Sequence, residues 1–188
     1  GIDMIGFEGM AFHQDEAGGI NPYDADYVRN GICRNNFVYN ISTEGNEVYY
    51  EDGEYDLCAG GIYVDGGQNI EIYNNFIFNC DIGVEVATEH SPDDNELFKV
   101  SGINVHDNVI ADCTGWAGIV FGGYDKDLGF TEDCVFDYNT LIDNVYQIVV
   151  QRSQNNRVCS NLILGGEEGI HFEYLVWGDS LVNEISGN

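Results

Sequence analysis

One phrase recurs five times along this chain, with its residues in the same order each time. It reads GICRNNFVYN from Gly31, IEIYNNFIFNC from Ile70, INVHDNVIADC from Ile103, CVFDYNTLIDN from Cys134 and RVCSNLILGG from Arg157. Each copy alternates apolar and polar residues, meets an Asn, and turns apolar again. The aligned Asn residues are Asn36, Asn75, Asn108, Asn139 and Asn161. A second phrase falls between the copies: GMAF at Gly9, GIYV at Gly61, GVEV at Gly83, GIVF at Gly118, QIVV at Gln147 and GIHF at Gly169. Fixed-order phrases repeating at about two to four dozen residues mark a solenoid.

A period of two inside each phrase specifies strand, not helix. Two short strands per repeat with an Asn at a corner predict an all-β fold, a right-handed parallel β-helix of about six coils. Equivalent residues then stack at the interstrand spacing of about 4.8 Å and form ladders. An Asn ladder can hydrogen-bond from coil to coil, and Asn tolerates the left-handed backbone of a tight turn. Ile62/Val64, Val84/Val86, Ile119/Phe121, Ile148/Val150 and Ile170/Phe172 are the expected interior ladders. A β-sandwich of short strands is the alternative, but a sandwich does not repeat a corner Asn in register.

The 188 residues suffice for one domain, 1–188, with a sizeable core. The chain opens at Gly1 and begins and ends inside coils, which reads as a portion of something longer; a second chain or flanking segments would then complete the solenoid. Its 33 acidic and 6 basic residues give a formal net charge of −27. Such a surface repels nucleic acid and anionic membranes, and a polyanionic substrate unless cations bridge the two. Solubility, or adaptation to salt, explains the charge equally well. No apolar run is long enough to insert in a membrane.

Cys80 and Cys113 both lie five residues after the column Asn and should stack in adjacent coils. Cys33 and Cys134 have inward parity. No CxxC pair occurs, so no zinc site is expected. Buried small apolar ladder residues and a Cys80–Cys113 disulfide both fit these positions.

Three insertions separate the coils: Ser42 to Ala59, Thr88 to Ser101 and Gly122 to Asp133. All adjoin the second phrase and should wall a groove along its outer face, where function concentrates. The outward positions there are Ala11/His13, Tyr63/Asp65, Glu85/Ala87, Val120/Gly122, Val149/Gln151 and His171/Glu173, with Asp15, Glu89, His90, Tyr124, Asp125, Lys126 and Arg152 beyond the strand ends.

The stretch GIYVDGGQNIEIYNNFIFNCDIGVEVATEH, with the later GIVFGGYDK, resembles the right-handed parallel β-helix proteins of the pectate-lyase-like superfamily. The resemblance covers nearly the whole chain. It implies an extracellular or cell-surface protein with extended carbohydrate bound along the parallel sheet. It is specific for fold and weak for activity, since lyases, hydrolases, epimerases and binding proteins share it. The NTD and RIK motifs of polygalacturonases are absent.

Eliminating a uronic acid needs a basic residue and a cation such as calcium, and only Lys126 and Arg152 stand on the expected face. Hydrolysis of a neutral glycan needs two carboxylates about 5–9.5 Å apart. Asp65 and Glu85 meet that geometry as the candidate catalytic pair, and like charges side by side raise the pKa of one of them, as a general acid requires. Tyr63 and Tyr124 can stack on sugar rings; His13, Asp15, Glu89, His90, Asp125, Lys126 and Arg152 complete the substrate-binding set. A turn role in VDGG is the alternative for Asp65. The function expected is a glycoside hydrolase. A polysaccharide lyase, with calcium, and a non-catalytic carbohydrate-binding or adhesion solenoid are the alternatives.

Overall fold

The computed structural model describes residues 1–5, 28–88, 99–123, 129–173 and 182–188. They form a parallel β-helix, with no α-helix among them. One six-stranded sheet, called here the long sheet, stacks Ile2–Ile5, Gly60–Asp65, Ile82–Ala87, Ala117–Gly122, Tyr146–Val150 and Glu168–Phe172. A second six-stranded sheet, the polar sheet, stacks Ile32–Arg34, Glu71–Tyr73, Asn104–His106, Val135–Asp137, Arg157–Cys159 and Glu184–Ser186. The third, the apolar sheet, stacks five: Phe37–Tyr39, Phe76–Phe78, Val109–Ala111, Thr140–Ile142 and Leu162–Leu164. A short ladder of Val100–Ser101, Thr131–Glu132 and Ser153–Gln154 lies between the long and polar sheets in chain order. Each first phrase therefore holds two three-residue strands, and each second phrase within the described residues one longer strand.

The corner between the polar and apolar sheets carries the Asn ladder. Asn36 Nδ2 donates to Asn75 Oδ1 at 2.9 Å, Asn75 to Asn108 at 2.9 Å, Asn108 to Asn139 at 3.0 Å, and Asn139 to Asn161 at 3.0 Å. Asn188 extends the ladder by one more rung, accepting from Asn161 at 2.8 Å. Each Oδ1 also accepts the backbone N–H of the preceding Asn, and the amides of Asn75, Asn108, Asn139 and Asn161 donate again to a backbone carbonyl. Buried polar groups are tolerated only when satisfied in this way.

The left-handed backbone belongs to a neighbour, not to the ladder Asn. Positive φ falls on Asn35, Asn74, Asp107, Tyr138 and Ser160, one residue before each column Asn. It recurs five residues away on either side, at Asn30, Asn69, Gly102, Asp133 and Asn155, and at Asn40, Asn79, Asp112, Asp143 and Gly165. Asn, Asp and Gly hold most of these positions because they meet the smallest steric cost there.

Inside, Ile62, Val64, Val84, Val86, Ile119, Phe121, Ile148 and Val150 are fully buried against Ile72, Ile77, Val105, Ile110, Phe136 and Leu141. Phe121 stacks on Phe136 at 4.2 Å. Ile170 is half-buried and Phe172 exposed, because no further long strand covers them among the described residues. The recurring Gly of the second phrase has a steric cause. A Cβ on Gly83 would lie 2.4 Å from the Gly118 carbonyl oxygen and 2.5 Å from Ile110 Cγ2.

The long sheet starts earlier than the GMAF phrase suggested. Ile2 and Met4 stack on Ile62 and Val64, so GIDM at Gly1 fills that register, while Gly9–Phe12 lies outside the described residues. Cys80 and Cys113 do lie in adjacent coils with both side chains buried, each thiol donating to a carbonyl of its own coil, Phe78 at 3.5 Å and Ala111 at 3.7 Å. All six cysteines are free thiols. Burial pushes the Cys134 thiol up to about 12, and it raises Cys33 as well.

Candidate functional site

The outer face of the long sheet is where the two candidate carboxylates meet. Tyr63 pairs with Glu85 across neighbouring strands, and Asp65 pairs with Ala87. Glu85 and Asp65 thus lie one strand and two residues apart on one face. That offset puts their Cα atoms about 8 Å apart, from a strand spacing of about 4.8 Å and a rise of about 3.3 Å per residue. Tyr63 and Glu85 are half-buried, and Asp65 is 9% exposed. Asp65 sits immediately before Gly66, which has a φ of 68° and ends the strand.

Asp3 and Ile5 occupy the register next to Tyr63 and Asp65 on the preceding strand. Asp3 is an exposed carboxylate in the same column as Tyr63 and Glu85, and the sequence missed it because its strand went unrecognised. His13, Asp15, Glu89, His90, Tyr124, Asp125 and Lys126 lie outside the described residues.

Arg152 lies at the other end of the face. It follows Gln151, whose column runs through Gly122 and Ala87 to Asp65, so three strand spacings, about 14 Å, separate the two ends. Its guanidinium lies 5.4 Å over the Phe130 ring. Its Nε and Nη1 are buried and make no hydrogen bond among the described residues. A buried guanidinium with unused donors is costly unless a ligand oxygen completes it.

The middle of the face is not an open groove. Val120 is 1% exposed and Val149 0%, and with Ile82 and Ala117 they form a small apolar cluster flanked by Trp116 and Tyr146. Beyond it, His171 stacks on Tyr146 at 4.3 Å and hydrogen-bonds Glu168 at 2.8 Å, while Gln151 donates to Glu173 at 3.3 Å. The outer face therefore has two polar ends around a covered apolar centre.

The insertion before Gly60 is held by a residue that no repeat singles out. Asp81 is buried, and its Oδ2 accepts from the Thr43 N–H at 2.8 Å, the Thr43 hydroxyl at 3.1 Å and the Ala59 N–H at 3.1 Å. One carboxylate oxygen thus ties both ends of the insertion. Between them, Tyr50–Glu51 and Glu54–Tyr55 form a hairpin around Asp52 and Gly53, both at positive φ, as a tight primed turn requires.

These features define a parallel β-helix with an Asn-laddered corner and, on the outer face of the long sheet, polar groups at either end of a buried apolar centre. The family described as NosD, periplasmic copper-binding protein, matches residues 18–188, and the chain belongs to it. A protein of Bacillus subtilis (strain 168), described as uncharacterized protein YwoF, is 37% identical over 174 residues, covering 89% of this chain and 33% of that protein. The chain therefore spans about a third of the length of the curated relative it matches. No solved structure matches it.

The family description raises copper, which favours thiolate, thioether and imidazole ligands. The described residues do not fit it. No group of three or more His, Cys, Asp or Glu among them is placed to hold a metal ion, which leaves calcium without a site there as well. The nearest soft donors, Cys80 and Cys113, are walled by Ile77, Ile110 and the backbone of Gly61 and Gly83. The neighbouring Cys80 thiol, together with burial, pushes the Cys113 thiol up, away from the thiolate a metal needs. His106 has both ring nitrogens on carboxylates, at 2.8 Å from Asp107 and 3.0 Å from Glu71.

Proposed function

We propose that this chain is a carbohydrate-active solenoid that hydrolyses a neutral glycan held against the outer face of its long sheet. One observation carries the reading: Asp65 and Glu85 lie on adjacent strands of a single face, offset by two residues, with Tyr63 between them in register. A Cα separation of about 8 Å at that offset is compatible with the carboxyl separations of about 5–9.5 Å used by glycoside hydrolases. One carboxyl group protonates the glycosidic oxygen as the C–O bond breaks; the other receives the sugar carbon directly or deprotonates the attacking water. Tyr63, half-buried on the same face, offers a ring to a sugar face. The surface charge favours a neutral substrate over a polyanion. The family's periplasmic description fits a protein working outside the cytoplasm on extended glycans.

The experiment is turnover of neutral oligosaccharides by the wild type, Asp65→Asn and Glu85→Gln, with thermal unfolding of each. Loss of turnover in both variants without loss of fold supports the pair. Full activity in either variant removes that residue from the chemistry. A product carrying a new unsaturated bond would move the protein to the lyase reading, and binding without turnover in the wild type to a binding module.

A further inference from the structure

The apolar sheet has an outer face that nothing covers among the described residues. Its outward residues are Phe37 and Tyr39, Phe76 and Phe78, Val109 and Ala111, Thr140 and Ile142, and Leu162 and Leu164. Nine of these ten are apolar or aromatic. Phe37 is 64% exposed, Tyr39 50%, Leu162 54% and Leu164 47%. An ordinary solvated face would alternate polar residues into these positions, as the polar sheet next to it does with Arg34, Glu71, Asn104, His106 and Asp137. Exposed contiguous apolar patches of this kind mark interaction surfaces.

The rings are ordered against one another. Phe37 stacks on Phe76 at 5.2 Å with 7° between planes, and Tyr39 on Phe78 at 5.3 Å with 9°. Stacking along the solenoid axis takes one face of each ring in a pair and turns ring edges outward. Edges and aliphatic tips form a flat, dry surface with few hydrogen-bonding groups. That argues against a sugar, which needs ring faces and polar partners. A groove of about 430 Å³ runs along one border, where Phe37, Phe76 and Val109 meet the turn residues Asn35, Asn74 and Asp107. Asp112 and Asp143, both exposed at turn positions, line the opposite border.

We infer that this face docks an extended segment of a partner protein with an apolar stripe flanked by Lys or Arg. Size and charge select that occupant. Five strands of three residues cover about 24 Å by 10 Å. A stable interface between two copies needs about 800 Å² per partner. The face is too small for that, but it matches the length of one short strand or peptide. Two copies would also bring together chains of net charge −27 and set their acidic borders against each other. An anionic membrane is repelled by the same charge. A basic-flanked apolar segment satisfies both the dry centre and the carboxylate borders.

The test uses the chain as it stands and two synthetic peptides of equal charge, one alternating Leu and Lys, the other alternating Ser and Lys. Calorimetry at physiological salt should show the Leu–Lys peptide binding at least about tenfold tighter, since each buried Leu adds more than one factor of ten in principle. Phe37→Ser combined with Phe76→Ser should erase that advantage and leave the Ser–Lys affinity unchanged. Both substitutions are at exposed positions, and circular dichroism checks that the fold is kept. Equal affinity for the two peptides, or an advantage that survives in the double variant, overturns the inference. So does a monomer–dimer equilibrium that the double variant abolishes, which would make the occupant a second copy. Binding of phosphatidylcholine vesicles through the same two residues would make it a membrane and overturn it too.

Discussion

The Asn corner and the outer face of the long sheet are built from the same repeating chain, yet they obey different rules. At the corner every residue's partner is its own equivalent one coil away, so Asn75 meets Asn36 and Asn108, and Asn139 meets Asn108 and Asn161. Left-handed positions recur there every five residues without interruption. On the outer face the columns change chemistry at each step: Asp65, Ala87, Gly122, Gln151 and Glu173 form one of them. The insertions adjoin only the ends of the long strands. A buried ladder constrains each coil to copy the last. A loop-bordered face is free to differ, and that freedom is what a specific site requires.

The largest effect separates the two regions by readout. Asp65→Asn and Glu85→Gln should each reduce turnover of a neutral glycan by about 10²–10⁴-fold, the usual worth of a positioned acid or base. Their unfolding midpoints should stay within experimental error of wild type. Asn108→Ala should do the reverse, with turnover per folded molecule unchanged. Asn108 is 1% exposed; it accepts two hydrogen bonds and donates two, to Asn139 and to the Ile72 carbonyl. Leaving those partners unsatisfied should cost about 1–3 kcal/mol, read by urea denaturation. An Asn108→Ala protein as stable as wild type would mean that the ladder is not what holds the corner.

How much of this was legible in the sequence follows the same division. The ladder Asn residues, the inward apolar columns and the stacking of Cys80 on Cys113 were all readable, because a repeat states each of them several times. GIDM at the start of the long sheet was missed because Asp3 and Met4 dilute the phrase. The left-handed residue was assigned to the column Asn when it is the residue before, a shift of one that pattern alone does not resolve. The covered centre of the outer face was also misread, since Val120 and Val149 have outward parity and yet are buried. Parity reports direction, not what lies on top. Asp81 was invisible because its role is to join Thr43 to Ala59, partners that no repeat predicts.

A smaller effect sharpens the rule for the corner. Tyr138 occupies the left-handed position that Asn35, Asn74, Asp107 and Ser160 hold in other coils, with a φ of 54°. Its ring is 62% exposed, so little packing offsets the backbone cost. Tyr138→Asn should therefore stabilise the protein by about 0.5–1 kcal/mol, part of the 1–2 kcal/mol that an L-residue loses in this conformation. A raised melting temperature with unchanged turnover is the expected outcome. A fall in stability would show that the Tyr138 ring makes up for its own strain.

The smallest effect lies on the polar sheet, just beside the corner, and is read by pH. Partial burial works to lower the His106 pKa, but hydrogen bonds to Asp107 and Glu71 prevail and hold it above the ordinary value of 6.5. A charged His106 therefore favours the folded state. That contribution is complete below the ordinary value and is lost as pH rises through the raised one. Glu132 behaves oppositely. Burial works to raise it, but Lys99 and Gln154 hold it below 4.5, so its contribution is present above that value and is lost as pH falls through the lowered one. The His106 side chain is 22% exposed and its two carboxylate partners about half exposed, so solvent screening keeps the effect under about 1 kcal/mol. Urea midpoints taken between about pH 6 and 8 should decline in the wild type and stay flatter in His106→Gln. If the two proteins decline in parallel, the loss belongs to another group and His106 is not the one that titrates.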